Sequence, residues 1–589
     1  MKKRIILKRL LGYLKPYRGR LILVLLCAAL STAFLVLAPF VIGQVTTTLF
    51  ASVREGVFHW ERLVALLAAL VGLYLVSQVF AFLQGFGMAR ITAGGMQTLR
   101  GDLDRKMHRL KLGYYDSHTH GDLLSVITND VDTVNNALSQ NLTALVTQGI
   151  TAVGILLMML SISPKLTGIP LLLVPLSLLS AAGVMKASER HYSRQQDLLG
   201  KLNGFVEELY QGQQVVQVFS YQERAKAEFD QWNEQLRDSA RRAETTAGAV
   251  SPIITLVTDL GYILCAAIGC LWAIGGQITV GNVQAMLEYT RKFAEPFSSL
   301  AGMAGSFGGA MAAGQRILSL LDAPEEEGED APDRLPGTVK GSVAFRHVRF
   351  GYTPGQVLMK DVNFTVEPGQ KVAIVGPTGA GKTTLINLLL RFYEVDDGAI
   401  LVDGVDIRTT SRGALRRHFG MVLQDPWLLE GTIAENIAYA RPEMGEEEIR
   451  RAARAACAHE FIKTLPGGYE MVLTAGAETI SQGERQLLTI ARALAADPEI
   501  LILDEATSNV DTHTEALIQQ GMAALMQGRT TFVIAHRLST IRDADIILYL
   551  EEGDIKEVGD HQTLLAQNGR YAALYRSQFA DGAAAEGED

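Results

Sequence analysis

Gly376-Pro377-Thr378-Gly379-Ala380-Gly381-Lys382-Thr383 follows the apolar run Val372-Ala373-Ile374-Val375 and precedes a helical stretch opening at Thr384. The run reads as a buried strand, and the octet fits G-x-x-x-x-G-K-[ST]. Its glycines let backbone N–H groups wrap phosphate oxygens, and the helix that follows adds the positive end of its dipole. Lys382 is placed to reach β- and γ-phosphates, and the Thr383 hydroxyl to ligate Mg²⁺. A chance octet lacks the strand before it and the helix after it. This stretch therefore predicts an α/β nucleotide-binding domain that takes ATP with Mg²⁺.

Ile500-Leu501-Ile502-Leu503-Asp504-Glu505 is a second buried-strand run ending in two acids. Asp504 is expected to hold Mg²⁺ through water, and Glu505 to polarise the attacking water. Gln424, after the strand Met421-Val422-Leu423, is in range of the metal and the water. His536, after Thr531-Phe532-Val533-Ile534-Ala535, is expected at the γ-phosphate. Tyr352, just after Phe350-Gly351, is expected to stack on adenine. A lone glutamine, histidine or tyrosine more often serves packing; their order around a phosphate loop and an acidic strand gives them weight.

The chain has 589 residues, of which 48% are hydrophobic and 20% charged, with a net charge of -9. A mean hydropathy of +0.16 at that charge content implies segregation. The apolar runs lie in the N-terminal half, near 21–43, 63–88, 140–163, 166–186, 251–274 and 280–305. Each approaches or exceeds the ~20 residues that span a bilayer. The first run is too long for a signal-peptide core and no cleavage site follows it. Lys2, Lys3, Arg4, Lys8, Arg9, Lys15, Arg18 and Arg20 precede it. The connections after the second and fourth runs are long and basic, the others short, so both termini are expected in the cytoplasm. The long connections, about 89–139 and 187–250, are periodic and helical, with tips at Tyr114-Tyr115-Asp116 and Phe219-Ser220-Tyr221 fit to press on another domain.

The expected architecture is an α-helical transmembrane domain of six spans over 1–321, a linker over 322–340, an α/β nucleotide-binding domain over 341–579 and an acidic tail over 580–589. Glu325-Glu326-Glu327 and Glu586-Gly587-Glu588-Asp589 read as solvated charge runs. Cys27, Cys265, Cys270 and Cys457 show no metal-ligand spacing and read as small apolar fillers. No basic aromatic face points to nucleic acid. In the sixth run, Glu288, Arg291, Lys292 and Glu295 fall on one helical face. Depth along the helices places Asp259 of the fifth run level with Arg291 and Lys292. An ion pair is expected there, flanked by Glu288 and Glu295, serving either as a structural helix–helix network or, through its one excess negative charge, as a mild preference for cationic cargo. Pro296 is expected to bend the helix.

Taken together, these motifs resemble a bacterial ABC exporter half of the multidrug or lipid type, over nearly the whole chain. Ile480-Ser481-Gln482-Gly483-Glu484 occupies the place of the family signature, normally Leu-Ser-Gly-Gly-Gln, and Ser508-Asn509-Val510-Asp511 that of the D-loop. Gly121-Asp122-Leu123-Leu124-Ser125 with Asn129-Asp130-Val131-Asp132 resembles the first cytoplasmic connection. The resemblance implies a multi-pass protein of the cytoplasmic membrane, with its ATPase domain in the cytoplasm. It implies two cassettes closing on two ATP molecules, each held between one phosphate loop and the opposite signature, and closure that pushes the helix tips. Amphipathic small molecules and membrane lipids are the implied partners. The signature departs from the pattern: Gln482 adds bulk where backbone must come close, and Glu484 brings negative charge to a helix end that favours anions. With Glu505 retained, that combination resembles the deviant-signature subunit of heterodimeric multidrug exporters, whose partner keeps the signature and lacks the glutamate. A homodimeric lipid flippase, an importer on the same fold and an ATP-gated channel or regulator are the alternatives. Inside-out vesicles separate export from these.

Overall fold

A computed structural model describes residues 3–326, 332–353, 355–474, 479–504, 511–535 and 538–583. The chain forms two compact units, Met1–His108 with Thr119–Ala323, and Arg109–His118 with Pro324–Asp589.

The first unit is helical. An amphipathic helix α1 (Lys3–Gly12) leads to the long helices α2 (Arg18–Glu55) and α3 (Trp60–Met107). The chain returns through α5 (Leu142–Ile162), turns at Ser163 and runs on as α6 (Pro164–Gln211). Ser163 caps α6 and Pro164 opens it, which suits a position whose N–H is unpaired in any helix. After α7 (Gln222–Gly248) come α8 (Val250–Ile274), α9 (Val280–Phe293) and α10 (Glu295–Leu321). Among the described residues, five stretches are long and apolar enough to cross a membrane: Lys15–Glu55, Trp60–Met107, His120–Ile162, Pro164–Gln211 and Gln222–Ile274. The sixth expected run differs. Pro296 sits in the first turn of α10, and the break at Ala294 divides the run into α9 and α10. Large apolar side chains such as Phe82 (70% exposed) and Leu172 (74%) face outward, which is the arrangement of helices solvated by lipid.

Helices in lipid associate through small residues and polar links, because apolar burial gives no advantage there. Gly281 of α9 meets Gly43 of α2 so closely that a Cβ on Gly281 would stand 1.7 Å from the Gly43 carbonyl oxygen. Further along the same contact, the buried Tyr289 hydroxyl donates to the Val36 carbonyl at 2.7 Å. Ser31 and Ser77 each donate to the other's carbonyl at 2.9 Å, joining α2 to α3.

The expected ion pair between Asp259 and Arg291 or Lys292 is absent among the described residues. Arg291 instead lies over the Tyr262 ring at 4.3 Å. Tyr262 is three residues from Asp259, so the two helices meet within a turn of the expected depth but on a different face. The buried face of α8 carries Gly261, Cys265 and Gly269, and Thr290 of α9 reaches Cys265 Sγ at 3.6 Å. Two residues from Gly261, Asp259 is turned roughly 200° around the helix, and it is exposed. This removes the ground for a preference for cationic cargo. Of the cysteines, Cys27 and Cys265 are buried as expected of fillers and Cys457 is half-buried, whereas Cys270 is exposed.

The second unit is α/β. Strands β1 (Val343–Phe350), β2 (Met359–Val366), β4 (Asp397–Val402) and β5 (Val405–Asp406) form an antiparallel sheet in the order β2-β1-β4-β5. A six-stranded sheet contains β3 (Lys371–Val375), β6 (Phe419–Val422), β7 (Ile500–Asp504), β8 (Thr530–Ile534), β9 (Ile546–Glu551) and β10 (Asp554–Gly559), in the order β10-β9-β3-β8-β7-β6. All neighbours are parallel except β9 and β10. Alternate residues enter opposite cores: Ala373, Leu501, Leu503 and Val533 on one face, Val372, Ile374, Ile502 and Phe532 on the other. Burial on both faces is why these strands read as unbroken apolar runs.

Two segments near the expected boundaries pack with the α/β unit. The first expected tip, α4 (Leu112–Asp116), groups with the α/β unit. The linker is anchored: the Glu326 N–H donates to the Arg109 carbonyl at 2.8 Å, and its carboxylate pairs with Arg416 at 3.2 Å and Arg412 at 3.9 Å. Arg412 is 3% exposed, and a buried guanidinium needs carboxylates; Glu326 joins Glu394 in supplying them. Glu327 and the tail residues Glu586, Glu588 and Asp589 lie outside the described residues. The second tip is a short helix, Gln213–Val218, ending at Phe219-Ser220-Tyr221 with Ser220 at φ 50°.

Candidate nucleotide site

The parallel register places the C-terminal ends of four strands along one sheet edge: Ile374 lies opposite Ile534, Ile534 opposite Asp504, and Leu503 opposite Val422. Ligands of such sheets gather beyond these ends. Val375 leads there into the glycine loop, which bends sharply. Gly376 has φ 152°, and a Cβ on it would meet the Leu550 carbonyl oxygen at 2.2 Å. Gly381, at φ 100°, is the N-cap of α11 (Lys382–Leu389). Only glycine is at ease in that left-handed conformation. Pro377, Thr378 and Gly379 form the turn, Ala380 is buried, and the Ala380 N–H donates to the Pro377 carbonyl at 3.2 Å.

Lys382 folds back over this loop. Its Nζ donates to the carbonyls of Gly376 at 2.8 Å and Pro377 at 3.0 Å. Burial pushes its ammonium below the ordinary lysine value, and Asp504 at the end of β7 opposes that shift. A cradle that a side chain would fill, with a cation held on carbonyls at its lip, fits a phosphate. Thr383 is exposed in the first turn of α11, and Gln424 is exposed two residues beyond β6. With Asp504 these are oxygen donors suited to Mg²⁺. Glu505 and His536, which follow β7 and Ala535, lie outside the described residues, as do Ser508, Asn509 and Val510.

Tyr352 is half exposed, and its hydroxyl is 2.9 Å from Thr384 Oγ1, one residue beyond the loop lysine-threonine pair. Its ring packs edge-on against Phe350 and Tyr393, each with centroids 5.0 Å away. Tyr393 in turn donates its hydroxyl to Asp116 of α4. No local pattern marks Tyr393; the only sequence signal was the aromatic tip Tyr114-Tyr115-Asp116.

The signature segment takes a specific local form. Ser481 is the N-cap of α12 (Gln482–Ala496): its hydroxyl accepts from the Glu484 N–H at 3.3 Å, while Glu484 Oε2 accepts from the Ser481 N–H at 2.8 Å. This is a capping box. Gly483 is buried and Gln482 half-buried. Glu484 is thus held against the helix end rather than extended from it. Asp511 similarly caps α13 (Thr512–Met526), accepting from the Thr514 N–H at 3.0 Å.

A phosphate cradle at the edge of a parallel sheet, on one chain with long lipid-facing helices, defines a membrane protein with a nucleotide-driven unit. Residues 21–297 match the ABC transporter transmembrane region, and residues 359–508 match the ABC transporter family model for the ATP-binding unit. An uncharacterised ABC transporter ATP-binding protein of Bacillus subtilis is 41% identical over 97% of this chain and 94% of its own length. A fatty acid ABC transporter ATP-binding/permease protein of Mycobacterium bovis is 47% identical over 87% of this chain and 81% of its own. The structure of a bacterial Atm1-family ABC exporter with ATP bound superposes with a TM-score of 0.74 at 28% identity, covering 96% of this chain and 98% of that one. The chain belongs to the ABC transporter family, and its ATPase activity drives transport.

Proposed function

We propose that this chain is one half of an exporter that moves amphipathic small molecules or lipids out across the cytoplasmic membrane by alternating access. In this reading six spans cross the bilayer, α9 and α10 together forming the sixth, and both termini are cytoplasmic. The similarity to an exporter and to a fatty acid transporter supports the direction and the cargo class. Residues Gly376–Thr384 hold the phosphates of ATP, with Tyr352 against the adenine. Mg²⁺, held by Thr383, Gln424 and Asp504, supplies charge neutralisation of the phosphates. Glu505 takes the proton from water, Gln424 orients that water and His536 contacts the γ-phosphate.

The observation that carries the assembly is the capping box at Ser481 and Glu484. The box holds the Glu484 carboxylate at the helix end that, in a paired cassette, faces the partner's nucleotide, so a negative charge stands against the phosphates where glutamine would fill the same cap without charge. That makes this signature a weak complement for the opposite site. The partner is accordingly a different subunit with an intact signature and a degenerate catalytic glutamate, and Gln482, Gly483, Glu484 and Asp511 face its nucleotide.

Inside-out vesicles carrying the chain and its partner are expected to accumulate a fluorescent fatty acid when ATP is added, and to lose that uptake with Glu505→Gln. Accumulation in right-side-out vesicles alone overturns export. ATPase activity of the chain by itself equal to that of the mixed pair overturns the heterodimer.

A further inference from the structure

In the helical unit a cavity of 380 Å³ opens between α1, the helix turn before α5 and α10, lined by residues including Leu7, Leu11, Leu138, Leu142, Met303 and Phe307. Asn141 is the one polar side chain among its described lining residues, and its Nδ2 already donates to Ser306 Oγ at 2.9 Å. Water has no partner inside, so the cavity suits hydrocarbon. The backbone widens to π-helical hydrogen bonding over Ala137–Asn141, which forms one wall; such local widening frequently accompanies binding sites in helices.

Helix α1, which supplies part of the lining, also carries basic residues. Ile6 and Leu10 anchor α1 in the protein, both fully buried. Leu7 and Leu11, half-buried, face the cavity, and Arg4 and Lys8 are exposed. Arg4 precedes Leu7, and Lys8 precedes Leu11, by three residues, so both cations share a helix face with the lining leucines. An amphipathic helix with basic residues at its polar edge lies at the membrane surface. An apolar cavity whose lining helix carries two exposed cations on the same face matches an anionic amphiphile. The volume lies near the low end of the ~300–1,000 Å³ of ligand pockets, room for one chain rather than two.

We propose that this cavity binds the hydrocarbon chain of a long-chain fatty acid, with its carboxylate at Arg4 and Lys8. Binding is read without nucleotide, so the site stands whether or not the bound molecule is cargo.

The test uses the full chain in phosphatidylcholine nanodiscs with a photoreactive palmitate. Saturable labelling at one site per chain, mapped to peptides containing Leu11 or Leu138, is expected. Leu138→Trp, which fills the cavity, is expected to cut labelling at least tenfold. Should that variant fail to fold, Arg4→Glu with Lys8→Glu decides: on an exposed helix face, it is expected to weaken palmitate at least threefold and to leave a cetyltrimethylammonium probe unweakened. Labelling indifferent to both variants overturns the site. Competition by phosphatidylglycerol as effective as by palmitate overturns the single chain. A disulfide between Leu11→Cys residues of two copies in the membrane, formed as fast with palmitate as without it, shows a second copy closing the mouth and also overturns the proposal.

Discussion

The hydroxyl of Tyr393 donates to the carboxylate of Asp116, joining the short helix Leu112–Asp116 to an aromatic cluster that touches the nucleotide cradle. Burial, then the bond to Asp116, raises the Tyr393 hydroxyl above its ordinary value, so it remains a donor at physiological pH. The path runs from Asp116 through Tyr393 and Tyr352 to Thr384, with every step a direct contact.

Tyr393→Phe keeps the ring and removes the donor. A hydrogen bond to a charged acceptor contributes about 1.5–3 kcal/mol when dry, and less at an exposed carboxylate such as Asp116. The expected cost is about 1 kcal/mol, a roughly fivefold change in an equilibrium. Cargo-stimulated ATPase activity is expected to fall by about that factor while nucleotide affinity, measured by fluorescent-ATP titration, stays within twofold. An unchanged stimulation ratio sinks the coupling role.

Within the signature, charge and capping separate. Glu484→Gln retains a capping-box acceptor, whereas Glu484→Ala loses it and is expected to cost ~1 kcal/mol of stability in a thermal melt. Gln482→Gly combined with Glu484→Gln is expected to raise the ATPase rate of the chain expressed alone. If the rate stays flat, the signature is not what limits it.

In the cradle, Lys382→Ala is expected to weaken ATP binding itself. Glu505→Gln is expected to leave binding intact and lower turnover by ~10²-fold or more, since general-base catalysis contributes 10²–10⁴-fold. A Glu505→Gln enzyme with most of its turnover would falsify the assignment of the base.

Gly281→Ala tests the helix contact in the membrane. The added carbon would collide with the Gly43 carbonyl and lie 2.2 Å from Thr47 Oγ1. Overpacking costs about 1–3 kcal/mol, and more where backbone must shift. A drop in the melting temperature of the detergent-purified protein is the expected result; equal melting with Gly281→Ala would show that the helices separate freely.

Alkaline pH probes the second unit. Tyr571 is buried, its hydroxyl is 2.7 Å from His561 Nδ1, and burial, with the Tyr575 charge adding, pushes its pKa up to about 12. A folded pKa above the unfolded value of ~10 gives stability fully present below pH ~10 and lost as the pH climbs toward the folded value. The melting temperature is therefore expected to fall between pH 10 and 12, and to fall less in Tyr571→Phe. Parallel curves for the two proteins would assign the alkaline loss elsewhere.

Features that rest on local chemistry or on distance along the chain were legible in the residues. Gly376 and Gly381 announced a backbone that only glycine adopts easily, the runs at Val372 and Ile500 announced strands buried on both faces, and the apolar lengths announced helices for lipid. Even the depth of Arg291 beside the Asp259 turn was legible, because helical rise is fixed. The tertiary structure decided what depends on azimuth and on remote pairing. Asp259 points away because Gly261 and Cys265 turn their own face to α9. Glu326 leaves solvent because Arg412, buried far along the chain, requires a carboxylate. Tyr393 meets Asp116 across 277 residues. Periodicity specifies which residues share a face of one element, but which faces meet is set by packing many elements at once, and no single stretch of sequence contains that information.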